Sequence, residues 1–427
     1  MAAEHIQTPK GTRDFFPADM RLQNHVFDGW RSVCRSFGYE EYEGPTFEHL
    51  ELYVGKSGPE IVEQLYHFKD KGDRDLALRP ELTPTLARMV NAKGPALRKP
   101  LKWFSIPRLY RYERAQRGRL REFFQLNMDI VGCDTVAAEA DLIAAVIEML
   151  RGFGLGSSDF AVRIASRALL SEFLDRLGVA ADCKAGVYAA LDKRAKIGEA
   201  EFRRLLDELG AGNVTPDLER FFQCRSLQDL TQVFPDPSAG EHAALQDLQN
   251  LFTLLAGLGL EDSLTIDTSV VRGLAYYTGI VFEVFDKGIG LRALAGGGRY
   301  DSLMASLGGA PVSAVGFGMG DVVLAELLKE KDLLPQGRSG VDYYLADLAS
   351  GELPRAEMLA LAQRLRGAGR SVAYSLKGGK FKKQMEEAND AGAKRVLFFG
   401  SDRAPAGSFE VKDLASGEQQ VLEEALL

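Results

Sequence analysis

The order in which strand and helix signals follow one another constrains this chain more than any single motif. Beyond residue 338 the signals alternate. "VDYYLADL", "RSVAYSL" and "KRVLFFG" read as strands, separated by the helical stretches "PRAEMLALAQRLRGAG" and "GKFKKQMEEANDAG". Such alternation implies a mainly parallel sheet with helices packed on it. Before residue 330 the alternation is missing. "LKWFSIPRLYRYE", "FFQLNMDIVG", "DFAVRIAS", "LTIDTSVVRG" and "LRALAGGGRYD" are strand-like and clustered, which predicts an antiparallel sheet with helices on one side, an α+β fold. Short helical segments with polar breaks such as "GAGNVTPD" and "PDPSAGE" fill residues from about 168 to 258 and read as a helical insertion. The two patterns meet at "DLLPQGRSG", rich in Gly, Pro and charge. The expected organisation is a first domain over 1–330, carrying that insertion, and an α/β domain over 338–427.

Composition removes several function classes. No run of about 18 apolar residues is present, so no transmembrane helix is expected, and the first residues lack the apolar stretch of a secretory signal. The four cysteines are scattered without a C-x-x-C pair and the five histidines are isolated. Neither a metal site nor a disulfide framework is expected, and a reducing cytoplasm fits best. A net charge of −8 argues against a generic nucleic-acid binder, while leaving room for a local basic surface.

Four stretches carry residue types suited to chemistry. "RLYRYERAQRGRLREFFQLNMD", residues 108–129, holds six arginines in a strand–loop–strand pattern. Guanidinium groups match phosphate oxygens in pairs, and Phe123 offers a face for a base; a solvated hairpin with surface ion pairs fits the spacing equally well. "RPELTPT" places Glu81 and Thr83 between a strand and a helix, where a helix cap is the simpler reading. "LAGGGRYDSL" is neither a P-loop nor a dinucleotide fingerprint and is expected to mark a tight turn between strands. "VVRGLAYYTGIVFEVF", residues 270–285, reads as a strand at both ends, yet holds Arg272, Tyr276 and Tyr277. Arg272 and Tyr276 would share a face there, with Tyr277 opposite. A cation beside phenol hydroxyls suits an anionic or polar small ligand; the alternative is a core strand with one snorkelling arginine.

In this order and spacing the stretches resemble the histidyl-tRNA synthetases, a family of class II aminoacyl-tRNA synthetases. "TPKGTRDFFP" is similar to that family's N-terminal signature, and "GYEEYEGPTFE", with Pro45, resembles class II motif 1, which builds a dimer interface. "RLYRYERAQRGRLREFFQLNMDIVG" resembles motif 2, and "VVRGLAYYTGIVFE" and "LAGGGRYD" resemble the two histidine-specific motifs. "VGFGMGDVVLAELL" stands where motif 3 belongs, and the C-terminal part resembles an anticodon-binding domain. The resemblance implies a class II antiparallel sheet, use of ATP with Mg2+, L-histidine and a histidine-specific tRNA as substrates, a homodimer, and a cytoplasmic, membrane-free setting. It implies that Arg272 and Arg111 meet the α-phosphate, that Glu81 and Thr83 hold the α-amino group, and that Gln125, Asp129, Tyr276 and Tyr277 complete the histidine pocket. Glu113 would lie on the adenine side, Arg119 on the outer phosphates, and Phe123 under adenine.

Four positions depart from the family pattern. Val323 stands where motif 3 has an arginine, Ala275 replaces an acid, Asp129 a glutamate, and Ala115 a proline. Whether a nearby cation such as Arg299 compensates for Val323 is a question the sequence leaves open. Two other readings are a ligase for another amino acid, which the histidine motifs oppose, and the regulatory subunit of ATP phosphoribosyltransferase. That paralogue binds histidine without catalysis and generally lacks the C-terminal domain. Lys377, Lys380, Lys382, Lys383, Lys394 and Arg395 form a basic excess in that domain, fit for tRNA phosphates or simply a solvated helix face.

Overall fold

The computed structural model describes residues 6–54, 62–271, 276–335, 340–349 and 354–427. The chain divides into two compact units, Met1–Leu334 and Pro335–Leu427. Three short strands of the first unit, β2 (Phe47–His49), β3 (His67–Lys69) and β4 (Asp75–Leu78), make a small antiparallel sheet in the order β2-β4-β3.

The main sheet has nine strands: β1 (Glu40–Glu41), β5 (Leu101–Ser105), β6 (Arg108–Tyr110), β7 (Glu122–Val131), β8 (Phe160–Ser166), β9 (Leu264–Ile266), β10 (Ile280–Asp286), β11 (Ala295–Arg299) and β12 (Ala314–Gly320). Their order is β1-β5-β7-β12-β11-β10-β8-β9, with β6 paired to β7. The six central strands run antiparallel, and only the edge strands β1 and β9 pair in parallel.

Strand parity sorts the residues of this sheet onto two faces. Phe104, Leu126, Met128, Ile130, Val162, Ile164, Phe282, Val284, Val315, Phe317 and Met319 belong to one core cluster with the helices Pro17–Ser36, Ala137–Gly152 and Asp321–Glu330. On the opposite face Leu101, Val131, Ala165, Val281 and Ala314 meet the helix Thr83–Lys93 and the short turn Leu303–Ser306. Helices therefore cover both faces, whereas the sequence pattern predicts one side only. The second cover extends over one end of its face, and the uncovered part becomes a pocket. Between β8 and β9 the chain is helical, from Arg167 to Gly257.

Two expectations are corrected here. "LAGGGRYD" is not a turn: Ala295–Arg299 is a fully buried central strand. Its glycines are there because neighbours approach too closely for side chains, with a Cβ on Gly297 meeting the Gly316 carbonyl at 2.3 Å and the Phe317 Cβ at 2.5 Å. Among the described residues of "VVRGLAYYTGIVFEVF" only those from Ile280 onward are strand, β10 running Ile280–Asp286. Tyr276 and Tyr277 precede it, outside the ladder, so alternation does not separate them; their ring centroids lie 5.2 Å apart.

The second unit has a five-stranded sheet, ordered β14 (Val372–Tyr374), β13 (Tyr343–Asp347), β15 (Arg395–Phe399), β16 (Ser408–Asp413) and β17 (Gln419–Glu423). β13 pairs in parallel with β14 and β15, as alternation requires. The hairpin β16–β17 adds an antiparallel edge that alternation did not foretell, its last strand mostly exposed and polar. Tyr343 and Leu345 pack on the helix Ala356–Gly367, while Tyr344 and Ala346 pack with Ala388 of the helix Phe381–Asp390.

Arg299 ends β11 as half of a buried ion pair. Its Nε and Nη2 donate to Glu139, both at 2.6 Å, and Nη1 donates to the Cys133 carbonyl at 3.0 Å. This ties the glycine strand to the helix Ala137–Gly152. Removing one partner leaves a charge stranded without water, which typically costs about 3–5 kcal/mol. Glu139→Gln and Arg299→Ala are expected to lose roughly that much, read as an earlier denaturant midpoint with an unchanged slope. Both tryptophans, Trp30 and Trp103, lie in the first unit, so their fluorescence isolates its transition.

Candidate active site

The pocket is built on the face of the main sheet that helices leave bare. Register places side chains in rows across the strands. Asp129 lies beside Gly316, which lies beside Gly298, beside Val281. The next row runs Asn127, Gly318, Gly296, Glu283 and Arg163. Gln125 then faces Gly320. The middle of every row is glycine, so a trench floored by backbone runs between β7 on one side and β10 on the other. The glycines have no room to be otherwise: a Cβ on Gly316 would sit 2.0 Å from the Asp129 carboxylate, and one on Gly318 within 2.8–3.0 Å of the Gln125 side chain.

At one end of the trench Glu81, Thr83, Asp129, Tyr276 and Tyr277 come together. Glu81, buried at the loop before the helix Thr83–Lys93, accepts a hydrogen bond from the Tyr276 hydroxyl at 2.7 Å. Thr83 opens that helix and its hydroxyl also lies at the Tyr276 phenol, rather than capping the helix. Tyr277 is buried against Gly298, where a Cβ would meet its ring at 2.9 Å. Tyr300, a residue the sequence reading did not single out, donates its hydroxyl to Asp129 at 2.5 Å and packs edge-on against Tyr276 with centroids 5.8 Å apart. Burial pushes the Asp129 carboxyl up to about 7, although the Tyr300 hydrogen bond opposes the shift. Burial, with the Glu81 carboxylate beside it, also holds the Tyr276 phenol well above its usual range.

At the other end Arg111, Glu113, Arg119, Phe123 and Gln125 line one cavity with Glu283, Arg292, Gly318, Gly320, Val322 and Val323. The loop between β6 and β7 turns tightly, with Gln116 and Arg119 exchanging backbone hydrogen bonds and Gly118 at φ 73°. Arg119 forms an ion pair with the buried Glu113. Arg111 is oriented by donating Nε to the Pro80 carbonyl at 2.9 Å, and its guanidinium sits 5.4 Å from the Phe123 ring centre. That bond joins the two ends, since Pro80 precedes Glu81. Arg117 pairs with Glu326 and Glu330, and Arg121 donates to the Glu113 carbonyl at 3.0 Å, so these arginines secure the loop.

Arg272 and Ala275 lie outside the described residues. The segment after Lys10 straps the site from outside: the Gly11 carbonyl accepts from Arg121 at 2.9 Å, and Arg13 donates to Asp321 at 2.7 Å. Asp321, buried beside Val322, also accepts from the Phe124 backbone at 3.0 Å. Arg299 does not compensate for Val323, because it is spent on Glu139, Cys133, Thr135 and Ser313. Among the described residues no cluster of three or more metal-ligating side chains exists, and no helix is long and apolar enough to cross a membrane. In the second unit Lys377, Lys380, Lys382 and Lys383 are exposed together, whereas Lys394 pairs with Asp342 at 2.8 Å.

An antiparallel sheet, an arginine-bearing strand–loop–strand over a glycine floor, and a separate α/β unit are what the resemblance to class II aminoacyl-tRNA synthetases implies. Comparison with known proteins narrows the class. Residues 11–321 match the family described as Histidyl-tRNA synthetase and residues 350–425 the one described as Anticodon binding domain. The chain belongs to the histidyl-tRNA synthetase family. A relative from Arabidopsis thaliana, named "Histidine--tRNA ligase, chloroplastic/mitochondrial", is 43% identical over 415 residues, 97% of this chain and 84% of its own. The crystal structure of histidyl-tRNA synthetase from Nostoc sp. PCC 7120 superposes with a TM-score of 0.81 at 25% identity, covering 99% of this chain and 98% of that one. An ATP phosphoribosyltransferase regulatory subunit/histidyl-tRNA synthetase from Bacillus halodurans shares the fold, with a TM-score of 0.76 at 24% identity over 93% of this chain and 99% of that one.

The raised Asp129 carboxyl has a measurable consequence in the ligand-free protein. Between its unfolded value near 3.8 and its folded value of about 7, the native state binds more protons than the unfolded one. Stability from this group therefore falls as pH rises through that window. Asp129→Asn keeps an acceptor for Tyr300 but cannot titrate. The melting temperature of the wild type relative to D129N is expected to drop between pH 4 and pH 7, then level off. A constant difference across that range would mean an ordinary carboxyl.

Proposed function

We propose that this trench activates L-histidine with ATP and then passes it to the 3′ end of a histidine-specific tRNA, the work of a histidine–tRNA ligase. The observation that carries the reading is one glycine-floored sheet face with two chemically different ends. Glu81, Tyr276, Tyr300 and Asp129 form a buried, hydrogen-bonded set at one end; Arg111, Arg119 and Phe123 stand at the other. From Asp129 to Phe123 along β7 is about 20 Å at the usual rise per residue, room for histidine and nucleotide end to end.

In this reading Glu81 and Thr83 take the α-ammonium group, Asp129 accepts from a ring N–H, and Gln125, Tyr276 and Tyr277 close the pocket. A site that pairs with the ring nitrogens discriminates by about 10⁴ or more against side chains that lack them. Arg111 and Arg272 meet the α-phosphate. A carboxylate oxygen of histidine attacks the α-phosphorus, the bond to the β-phosphate breaks, and pyrophosphate leaves. Charge grows on the phosphoryl oxygens during this step, and a guanidinium fixed in advance stabilises it without reorganising. Arg111, held by Pro80, is oriented in that way. Phe123 lies under adenine and Glu113 beside it. In the second half-reaction a terminal ribose hydroxyl of tRNA attacks the carbonyl carbon and AMP leaves.

Mg2+ fits the donor set, because the Glu283 carboxylate lines the cavity and this ion is usually held by one or two carboxylates plus substrate phosphates. It would neutralise charge on the outer phosphates. The basic surface at Lys377–Lys383 supports contact with tRNA phosphates. Exposed Phe47 and Phe68 on the small sheet after Pro45 support a homodimer through motif 1. Four free cysteines support a cytoplasmic setting. The fold shared with the regulatory subunit favours a second reading, a non-catalytic histidine sensor. The anticodon-binding match over residues 350–425 speaks against it.

Histidine-dependent ATP–pyrophosphate exchange without tRNA tests the proposal. Exchange with histidine alone among the amino acids is expected. Arg111→Ala should slow it by about 10²–10³-fold, with histidine affinity in calorimetry little changed. Histidine binding without exchange in the wild type would establish the sensor reading instead.

A further inference from the structure

The nucleotide end of the trench raises a charge problem. The triphosphate of ATP brings several negative charges, and the helix that begins beside it presents Val322 and Val323, which carry none. Among the described residues lining the cavity the cations are Arg111, Arg119 and Arg292. Arg111 is placed by Pro80 over Phe123, and Arg119 pairs with Glu113. Arg299 is outside this lining, in a buried ion pair with Glu139.

Arg292 stands at the right end of the trench. It lines the same cavity as Phe123, Val322 and Val323. Phe123 lies six residues along β7 from Asp129, so this is the end away from the buried carboxyl. Arg292 is exposed, and the loop that carries it is rigid: the Asp286 carboxylate accepts from the backbone of Ile289 at 2.7 Å, Gly290 at 2.9 Å and Leu291 at 2.7 Å. The Leu294 backbone then rejoins the ladder by donating to Val284 at 2.7 Å.

We infer that Arg292 binds the outer phosphates of ATP in this chain, its planar fork bridging two phosphate oxygens beside Val322 and Val323. The inference rests on the adenylation reading and adds a second cation at the outer phosphates, where the resemblance implies Arg119 alone. Asp286 is a positioning residue for it, acting through the loop backbone.

The test compares ATP with AMP, which has no outer phosphates. In wild-type protein and Arg292→Ala, ATP–pyrophosphate exchange gives the KM for ATP, and inhibition of exchange gives the affinity for AMP. R292A is expected to raise the ATP KM at least tenfold, to leave AMP inhibition within twofold, and to leave histidine affinity by calorimetry unchanged. Arg292→Gln, which keeps a polar hydrogen-bonding side chain without the charge, is expected to behave the same way and replaces R292A should that variant fail to fold. Equal weakening of ATP and AMP, or an unchanged ATP KM in an actively exchanging R292A enzyme, would overturn the assignment. Absence of exchange in the wild type is a separate result: it would remove the adenylation reading itself, and with it this inference.

Discussion

A lane of backbone without side chains is the constraint on which the rest of this structure depends. Where Gly296, Gly298, Gly316, Gly318 and Gly320 face one side of the main sheet, a ligand can lie against peptide groups, and the walls on β7 and β10 decide what lies there. The lane also has a cost. Glycine in a strand contributes no packing and loses more chain entropy on folding than other residues. The opposite face compensates, because Val315, Phe317 and Met319 of β12 alternate with those glycines into the largest core cluster. One strand thus serves core and pocket at once.

Around the lane, polar groups without access to water are paired in ways that fix strands to helices. Arg299 with Glu139 fixes the far end of β11. Asp321 gathers Arg13 and the Phe124 backbone where β12 turns into its helix. Tyr300 and Tyr276 link Asp129 and Glu81 through touching rings and two hydroxyl hydrogen bonds. The interior of the amino-acid end is therefore organised before a ligand arrives, which lowers the ordering cost of binding.

Much of this was legible in the chain, for identifiable reasons. Periodicity separated the clustered strands of the first unit from the alternating second, because burial on one face or two writes different patterns. Parity also put Phe123, Gln125, Asn127 and Asp129 on one face of β7. What failed was local inference about glycine and tyrosine. Three consecutive glycines signal a turn when nothing is known of the neighbours; only the close approach of Phe317 and Gly316 shows why a central strand needs them. Tyr276 and Tyr277 looked like strand residues because β-formers flank them, yet the ladder starts at Ile280. Tyr300, Glu139 and Asp321 act through partners more than 150 residues away, a kind of contact that spacing does not encode. Arg299 and Arg292 read alike in sequence, and only burial separates a structural ion pair from a pocket wall.

The central claim is that the glycine lane seats histidine and nucleotide together. A crystal structure with a non-hydrolysable histidyl-adenylate analogue tests it most directly. The account predicts the imidazole at Asp129, the phosphoryl group over the row of Gly318 and Gly296, and adenine on Phe123. An analogue bound elsewhere, or bound with its two ends exchanged, would contradict it.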